Sequence, residues 1–166
     1  MKRQIYLDYA YGVADLIWQD YDALRGQAIE RGKAALRDQG KLQNTFQFVG
    51  TVAPVEVMRY RQTGVVRYLE RAKRYLLDVY DVYHALKTYQ EVENIPIRNA
   101  DFPTLGWMFE PEPYISAYNQ IKDIAGFTDE EIARVETVVE RAMRPIELMP
   151  EYGPMNRSML RALCLL

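Results

Sequence analysis

Residues 126–132 carry the sequence features of a well-defined helix start. Thr128 stands at the N-cap position and Glu131 follows three residues later, which is the spacing of a capping box. Phe127 and Ile132 flank the cap at the two positions of a hydrophobic staple. Apolar residues then recur at helical spacing and predict an amphipathic helix: Ile132, Val135, Val138, Val139, Ala142, Met143 and Ile146.

The residues after this helix predict a turn and the start of another helix. Pro145 should kink or end the first helix near its last turn, because proline lacks a backbone donor. Residues 151–154 read as a turn, and a second helix opens at residues 155–158. That helix stops at Leu165 and Leu166 without a cap, so we expect the chain to be a fragment of a larger helical domain.

A helical hairpin is predicted between residues 54 and 86. Pro54 suits a first helical turn, Thr63 and Gly64 suit a helix end, and a long helix follows from Val65. One face of the long helix is apolar: Val65, Tyr68, Leu69, Ala72, Leu76, Val79, Tyr80, Tyr83 and Leu86. The other carries charges that are interpreted as a solvated side: Arg67, Glu70, Arg71, Arg74, Asp78 and Asp81.

The remaining segments are also helix-prone or irregular. Residues 2–38 predict two helices with a break near residues 20–26, and residues 41–51 predict a loop with Phe46 and Phe48 as buried anchors. Residues 91–113 form a proline-rich, ordered connection, and a short helix then ends at Gly126. The sequence therefore predicts one all-α domain, 1–166, built from antiparallel helical hairpins.

The composition argues against several classes of binding partner and functional site. The formal net charge of −2 does not suggest binding to nucleic acid or to an anionic membrane surface, and no apolar run is long enough to span a bilayer. His84 and Cys164 are the single histidine and cysteine, too few for a zinc site or an internal disulfide. No phosphate-cradling glycine loop or nucleophile elbow occurs. No metal or cofactor is expected.

A polar cluster near the end of the chain is the candidate site. Glu151 and Tyr152 lie in the predicted turn, and Asn156 and Arg157 open the next helix, where backbone donors favour an anion. Arginine can hold a carboxylate with two hydrogen bonds, and tyrosine can exchange a proton. β-Elimination on a uronic acid needs a group that neutralises the sugar carboxylate, together with a base and an acid that transfer protons. The alternative is that Asn156 is an N-cap and Arg157 a surface charge.

Three stretches carry a resemblance to a known family: RYRQTGVVRYLERAKRYLLDVYD, SAYNQIKDIAGFTDEEIARVETVVERAMRPIE and MNRSMLRALCLL. Together they resemble the α/α-toroid domain of heparinase II/III-like and alginate-lyase-like polysaccharide lyases, over about residues 54–166. The resemblance implies an incomplete α/α toroid, and Asn156 falls where the family places the asparagine that neutralises the substrate carboxylate. Arg157 departs from the aromatic or histidine often found next in the family, which leaves the catalytic base unassigned.

The resemblance implies a function in cleaving uronic-acid-containing glycans by β-elimination, with an acidic polysaccharide as partner and a periplasmic or secreted location. Asn156 and Tyr152 would be catalytic, and Arg157, Glu151 and Trp107 would bind substrate. Alone, the chain is expected to be inactive or nearly so, and to need the missing C-terminal part of the protein or a partner helix. The alternatives are a helical binding or scaffold module without catalysis, and a glycoside hydrolase on the same toroid.

Overall fold

The computed structural model describes residues 2–37, 47–93 and 111–148 of the 166-residue chain. Those ranges contain helices and no strand, so the all-α prediction is confirmed for them. The helices are α1 (Lys2–Gln19), α2 (Tyr21–Arg37), α3 (Gln47–Thr63), α4 (Val66–Glu93), α5 (Pro111–Ile121) and α6 (Asp129–Leu148).

Helix α4 lies at the centre of the described structure and packs against α2, α3, α5 and α6. Its most extensive contact is with α3, the other arm of the predicted hairpin, and α3 in turn packs against α1 and α5. Six side chains of α4 are fully buried or nearly so: Tyr68, Leu69, Ala72, Tyr75, Leu76 and Val79. Tyr75 was missing from the predicted apolar face, because a helix surrounded by several neighbours buries a wider arc than one stripe.

The turn between α3 and α4 forms where it was predicted. Gly64 has a φ of 68°, a left-handed conformation that glycine adopts without a Cβ penalty. Its amide donates to the carbonyl of Tyr60 at 2.7 Å, and the Thr63 hydroxyl donates to the carbonyl of Arg59 at 2.8 Å. These bonds satisfy carbonyls at the helix end that would otherwise lack partners.

The start of α3 differs from the prediction. The helix begins at Gln47, so Pro54 lies in its interior rather than in its first turn, and part of the predicted loop at residues 41–51 is helical. Proline removes one helical hydrogen bond. Burial of the neighbouring Val52 (5% exposed) and Ala53 (0%) offsets that loss, which the local pattern could not show. The anchoring role of Phe46 and Phe48 lies outside the described side chains.

The capping box at the start of α6 is confirmed. The Thr128 amide donates to Glu131 Oε2 at 2.8 Å, and the Glu131 amide donates to Thr128 Oγ1 at 3.2 Å. Lys73 on α4 contacts this corner twice: Nζ donates to the Gly126 carbonyl at 2.8 Å and lies 2.8 Å from Glu131 Oε2. The cap therefore also fixes the position of α6 against α4.

The remaining boundaries are confirmed in part. A break at Asp20 separates α1 from α2, inside the predicted range, and α5 ends at Ile121, before a turn that reaches Gly126 with a φ of 59°. Pro145 lies within α6, three residues before its end at Leu148. The predicted turn and second helix after residue 148 lie outside the described residues.

Two glycine substitutions should change stability in opposite directions. Gly26 lies inside α2, where an added Cβ meets nothing within 4 Å, so Gly26→Ala should stabilise the fold by about 1 kcal/mol through helix propensity. Gly64 has equal space but a positive φ, so Gly64→Ala should cost about 1 to 2 kcal/mol. Urea unfolding of both variants checks this, and shifts of the same sign would contradict it.

Candidate functional site

A network of four charged side chains joins α1, α3 and α4. Asp15 on α1 accepts two hydrogen bonds from Arg59 on α3, each 2.9 Å long. Arg71 Nη1 on α4 donates to Asp15 Oδ1 at 2.7 Å and to Glu56 Oε1 at 3.3 Å. Glu56 is fully buried, and the Arg71 side chain is 16% exposed. Because the network couples three helices, it positions α1 on the α3–α4 hairpin.

The two carboxylates of the network have opposite electrostatic environments. Burial raises the pKa of Glu56, although the hydrogen bond from Arg71 opposes this. Hydrogen bonding by Arg59, with a further contribution from Arg71, lowers the pKa of Asp15. Glu56 Oε2 has no hydrogen-bond partner among the described residues. A fully buried carboxyl cannot contact a large substrate, so we assign Glu56 to structure.

Substituting each carboxylate should change the pH dependence of stability in opposite directions. Glu56 binds its proton more tightly when folded, so its contribution to stability falls as pH rises from the ordinary glutamate pKa through the raised one. Asp15 contributes stability that is lost as pH falls through its lowered pKa. Relative to the wild type, Glu56→Gln should gain stability as pH rises and Asp15→Asn should lose it. Urea unfolding between pH 3 and 7 measures both, and parallel profiles would contradict the assignment.

An open groove with a volume of about 420 Å³ lies beside this network. Its lining residues are Trp18 on α1 and Arg67, Glu70, Arg71 and Arg74 on α4. The three arginines lie at positions four and three residues apart, so they share one face of α4. The groove therefore combines three guanidinium groups and one carboxylate with an aromatic ring.

The ring of Trp18 is held by packing on several sides. It stacks on Tyr21 at a centroid distance of 5.5 Å and meets the edge of Tyr75 at 5.5 Å. The guanidinium carbons of Arg71 and Arg74 lie 4.9 Å and 5.4 Å from the Trp18 ring centroid. Such cation–π contacts fix the two arginines beside the ring.

The three arginines differ in how their charge is balanced. Arg71 pairs with Asp15 and Glu56, and Arg74 pairs with Asp22 on α2 and lies 3.4 Å from Asp78. Arg67 is exposed; it donates to the Tyr68 hydroxyl at 2.7 Å and pairs with no carboxylate in the described ranges. Arg67 is therefore the groove's cation with the most freedom to bind an external anion.

A second ionic cluster joins α2, α4 and α6 and adjoins the groove at Asp78, which also lies near Arg74. Arg25 on α2 lies 3.4 Å from Asp78 and 2.8 Å from Asp81, and Arg134 on α6 also bonds Asp81. Arg134 further lies over the Tyr80 ring, with its guanidinium carbon 5.0 Å from the centroid. Since each of these charges has a partner, the cluster is assigned to helix packing.

The residues predicted from the sequence to form the site are Trp107, Glu151, Tyr152, Asn156 and Arg157, and all lie outside the described residues. Their convergence on one surface stays a prediction. The groove was not predicted: Arg67, Arg71 and Arg74 were interpreted as solvated, whereas α1 covers Arg71. The one signal available in the sequence was that the three arginines share a face of α4. No sequence pattern indicated that Trp18, about fifty residues away, would join them.

The described residues contain no group of three His, Cys, Asp or Glu side chains arranged to hold a metal ion. None of the described helices is both long enough and apolar enough to cross a membrane. Comparison of the chain with protein-family models, with curated proteins and with solved structures finds no match. The resemblance to polysaccharide lyases therefore stays a prediction.

Proposed function

We propose that the chain is part of a polysaccharide lyase-like protein that binds uronic-acid-containing glycans and cleaves them by β-elimination. The observation that supports glycan binding is the open groove in which Arg67, Arg71 and Arg74 accompany Trp18. Arginine is suited to a sugar carboxylate because its planar fork forms two parallel hydrogen bonds. An aromatic ring offers an apolar surface beside the charges.

Within this proposal the groove binds the glycan and takes no part in its cleavage. The chemistry is assigned to Asn156, which would neutralise the substrate carboxylate, and Tyr152, which would exchange a proton. Arg157, Glu151 and Trp107 would contact the same chain of sugars. A polysaccharide is long enough to contact several subsites, so the groove and the predicted site need not coincide.

Binding is tested with the 166-residue chain itself. We expect oligouronates to quench tryptophan fluorescence and neutral oligosaccharides of equal length to leave it unchanged. Both tryptophans, Trp18 and Trp107, belong to candidate binding surfaces, so Trp18→Phe and Trp107→Phe separate their contributions. Added salt should weaken binding, because exposed charge pairs are screened.

A matched pair of arginine substitutions tests the groove. Arg67→Gln removes the groove cation without a carboxylate partner and should weaken oligouronate binding about tenfold, the effect of one charge-assisted bond. Arg61→Gln removes an exposed charge from the last turn of α3 and should leave binding unchanged. Equal affinities for both variants would exclude the groove, and no binding to any acidic glycan would overturn the proposed function.

Cleavage is tested separately by following absorbance near 232 nm, where the unsaturated product of β-elimination absorbs. We expect any activity to be lost in Asn156→Ala and retained in Arg61→Gln. If this chain and any longer form of the protein bind glycans without a rise in absorbance, the lyase assignment is contradicted. The chain would then be a glycan-binding module.

A helical binding module without catalysis is the second candidate, and one observation favours it. Ile5, Tyr6, Tyr9 and Leu16 on α1 are each more than 60% exposed. Large exposed apolar residues grouped on one helix are typical of a surface that binds another protein. The hydrolase alternative would need two carboxylates about 5 to 9.5 Å apart across a cleft. The described groove lining supplies Glu70 alone.

A further inference from the structure

Helix α1 presents two opposite faces of different character. Ala14, 1% exposed, lies on the inner face, where Asp15 contacts Arg59 on α3 and Trp18 contacts Arg71 on α4. The outer face carries a stripe of large apolar side chains, Tyr6, Tyr9, Val13 and Leu16, whose exposed fractions are 74%, 73%, 38% and 64%. The inner contacts hold α1 in place, so the stripe is displayed on a fixed helix.

The spacing of the stripe is that of a coiled-coil seam. Its members follow one another by three, four and three residues, the alternation of a and d positions in a heptad. At about 100° per residue these positions stay within one narrow arc of the helix. Ile5, which is 62% exposed, flanks the arc. A seam of this kind fits a second helix that carries the same spacing.

In the sequence, residues of opposite charge flank the stripe. The next heptad position before Tyr6 is Lys2, and the next after Leu16 is Asp20. In an antiparallel pair of α1 helices, Tyr6 lies opposite Leu16 and Tyr9 opposite Val13. The heptad spacing then sets Lys2 against Asp20, the residue that directly follows α1. A parallel pair would instead place each charge opposite its own copy, which is unfavourable. The sequence of residues 2–20 is thus complementary to itself in reverse.

We propose that the outer face of α1 is a homodimer interface in which two copies of this chain pair their α1 helices antiparallel. An isologous contact of this kind closes on itself and needs no further subunit. Full burial of the stripe and Ile5 on both copies would remove on the order of 1,000 Å² from solvent, near the lower bound for a specific interface. We therefore expect a weak dimer with a Kd on the order of 10 µM.

Sedimentation velocity of the full chain between about 1 and 200 µM tests this. The mass should rise from that of the 19.4 kDa monomer towards twice that value. Leu16→Glu should keep the chain monomeric at every concentration. Leu24→Glu is the matched control: Leu24 is also exposed, at 42%, but lies on α2 outside the stripe, so this variant should dimerise like the wild type. Circular dichroism of the dilute variants verifies that both fold.

Charge reversal tests the orientation. Lys2→Asp and Asp20→Lys should each raise the Kd several-fold, and the double variant should restore it, because the two positions face each other only in the antiparallel pair. If the wild-type chain is monomeric at every concentration, the proposal is overturned. This holds whether the stripe is instead covered by residues 149–166 of the same chain or by another protein. Dimerisation that Leu16→Glu leaves intact overturns it as well. Neither result bears on glycan binding, which is measured at concentrations below the Kd.

Discussion

Replacing Arg71 by methionine is expected to destabilise the fold by about 3 to 5 kcal/mol, because it removes one partner of a buried ion pair. Arg71 Nη1 contacts both Asp15 and Glu56, and Glu56 is 0% exposed. Once the guanidinium is removed, Glu56 stays buried without the group that compensates its charge. Urea unfolding followed by circular dichroism measures the loss.

A neighbouring arginine provides the matched control. Arg67 lies one helical turn earlier on α4, lines the same groove and has no carboxylate partner among the described residues. Arg67→Met should therefore change stability by less than about 0.5 kcal/mol, as for other exposed sites. Losses of equal size in the two variants would mean that the effect comes from the helix surface and not from the buried pair.

A double substitution separates the pair from its components. Arg71→Met combined with Glu56→Leu removes both charges together, and exchange of a buried ion pair for apolar groups is often close to neutral. We expect the double variant to recover most of the stability that Arg71→Met loses. A double variant no more stable than Arg71→Met would show that Arg71 acts through Asp15 or through packing on Trp18.

Local features of the sequence predicted the parts of the fold that depend on neighbouring residues. The Thr63–Gly64 helix end and the Thr128–Glu131 capping box were correct, because each is formed by side chains and backbone within one turn. The start of α3 was wrong because Pro54 suggests a helix start locally, whereas burial of Val52 and Ala53 decides the outcome. That burial depends on other helices, which no local pattern contains.

The candidate site could be predicted less well, for the same reason. The groove joins Trp18 on α1 with arginines on α4, and no motif spans that separation. On α4 alone, Arg71 looks like a member of a solvated face, and only the position of α1 shows that it is mostly buried. The site inferred from Trp107 and residues 151–157 lies outside the described ranges, so the sequence is still its sole support.

Tyr75→Ala should cost about 3 to 5 kcal/mol, because it removes a fully buried aromatic ring from the centre of the core. The ring meets Tyr21 edge-on at a centroid distance of 4.7 Å and Trp18 at 5.5 Å. Loss of the Tyr75 ring would therefore also remove packing support from the Trp18 ring, which lines the groove. Thermal unfolding together with tryptophan fluorescence would detect both consequences.

Two conservative substitutions separate the contribution of the Tyr75 ring to stability from that of its hydroxyl. Tyr75 and Tyr114 are both buried, at 0% and 1% exposure, but the Tyr114 hydroxyl donates to the Leu76 carbonyl at 2.9 Å. The Tyr75 hydroxyl has no hydrogen-bond partner among the described residues, and burial raises its pKa. Tyr114→Phe should therefore cost about 1 kcal/mol, whereas Tyr75→Phe should be neutral or stabilising, because it removes a buried polar group that lacks a partner. If Tyr75→Phe costs as much as Tyr114→Phe, the Tyr75 hydroxyl contributes a bond to the fold, and part of the loss in Tyr75→Ala belongs to that bond rather than to the ring.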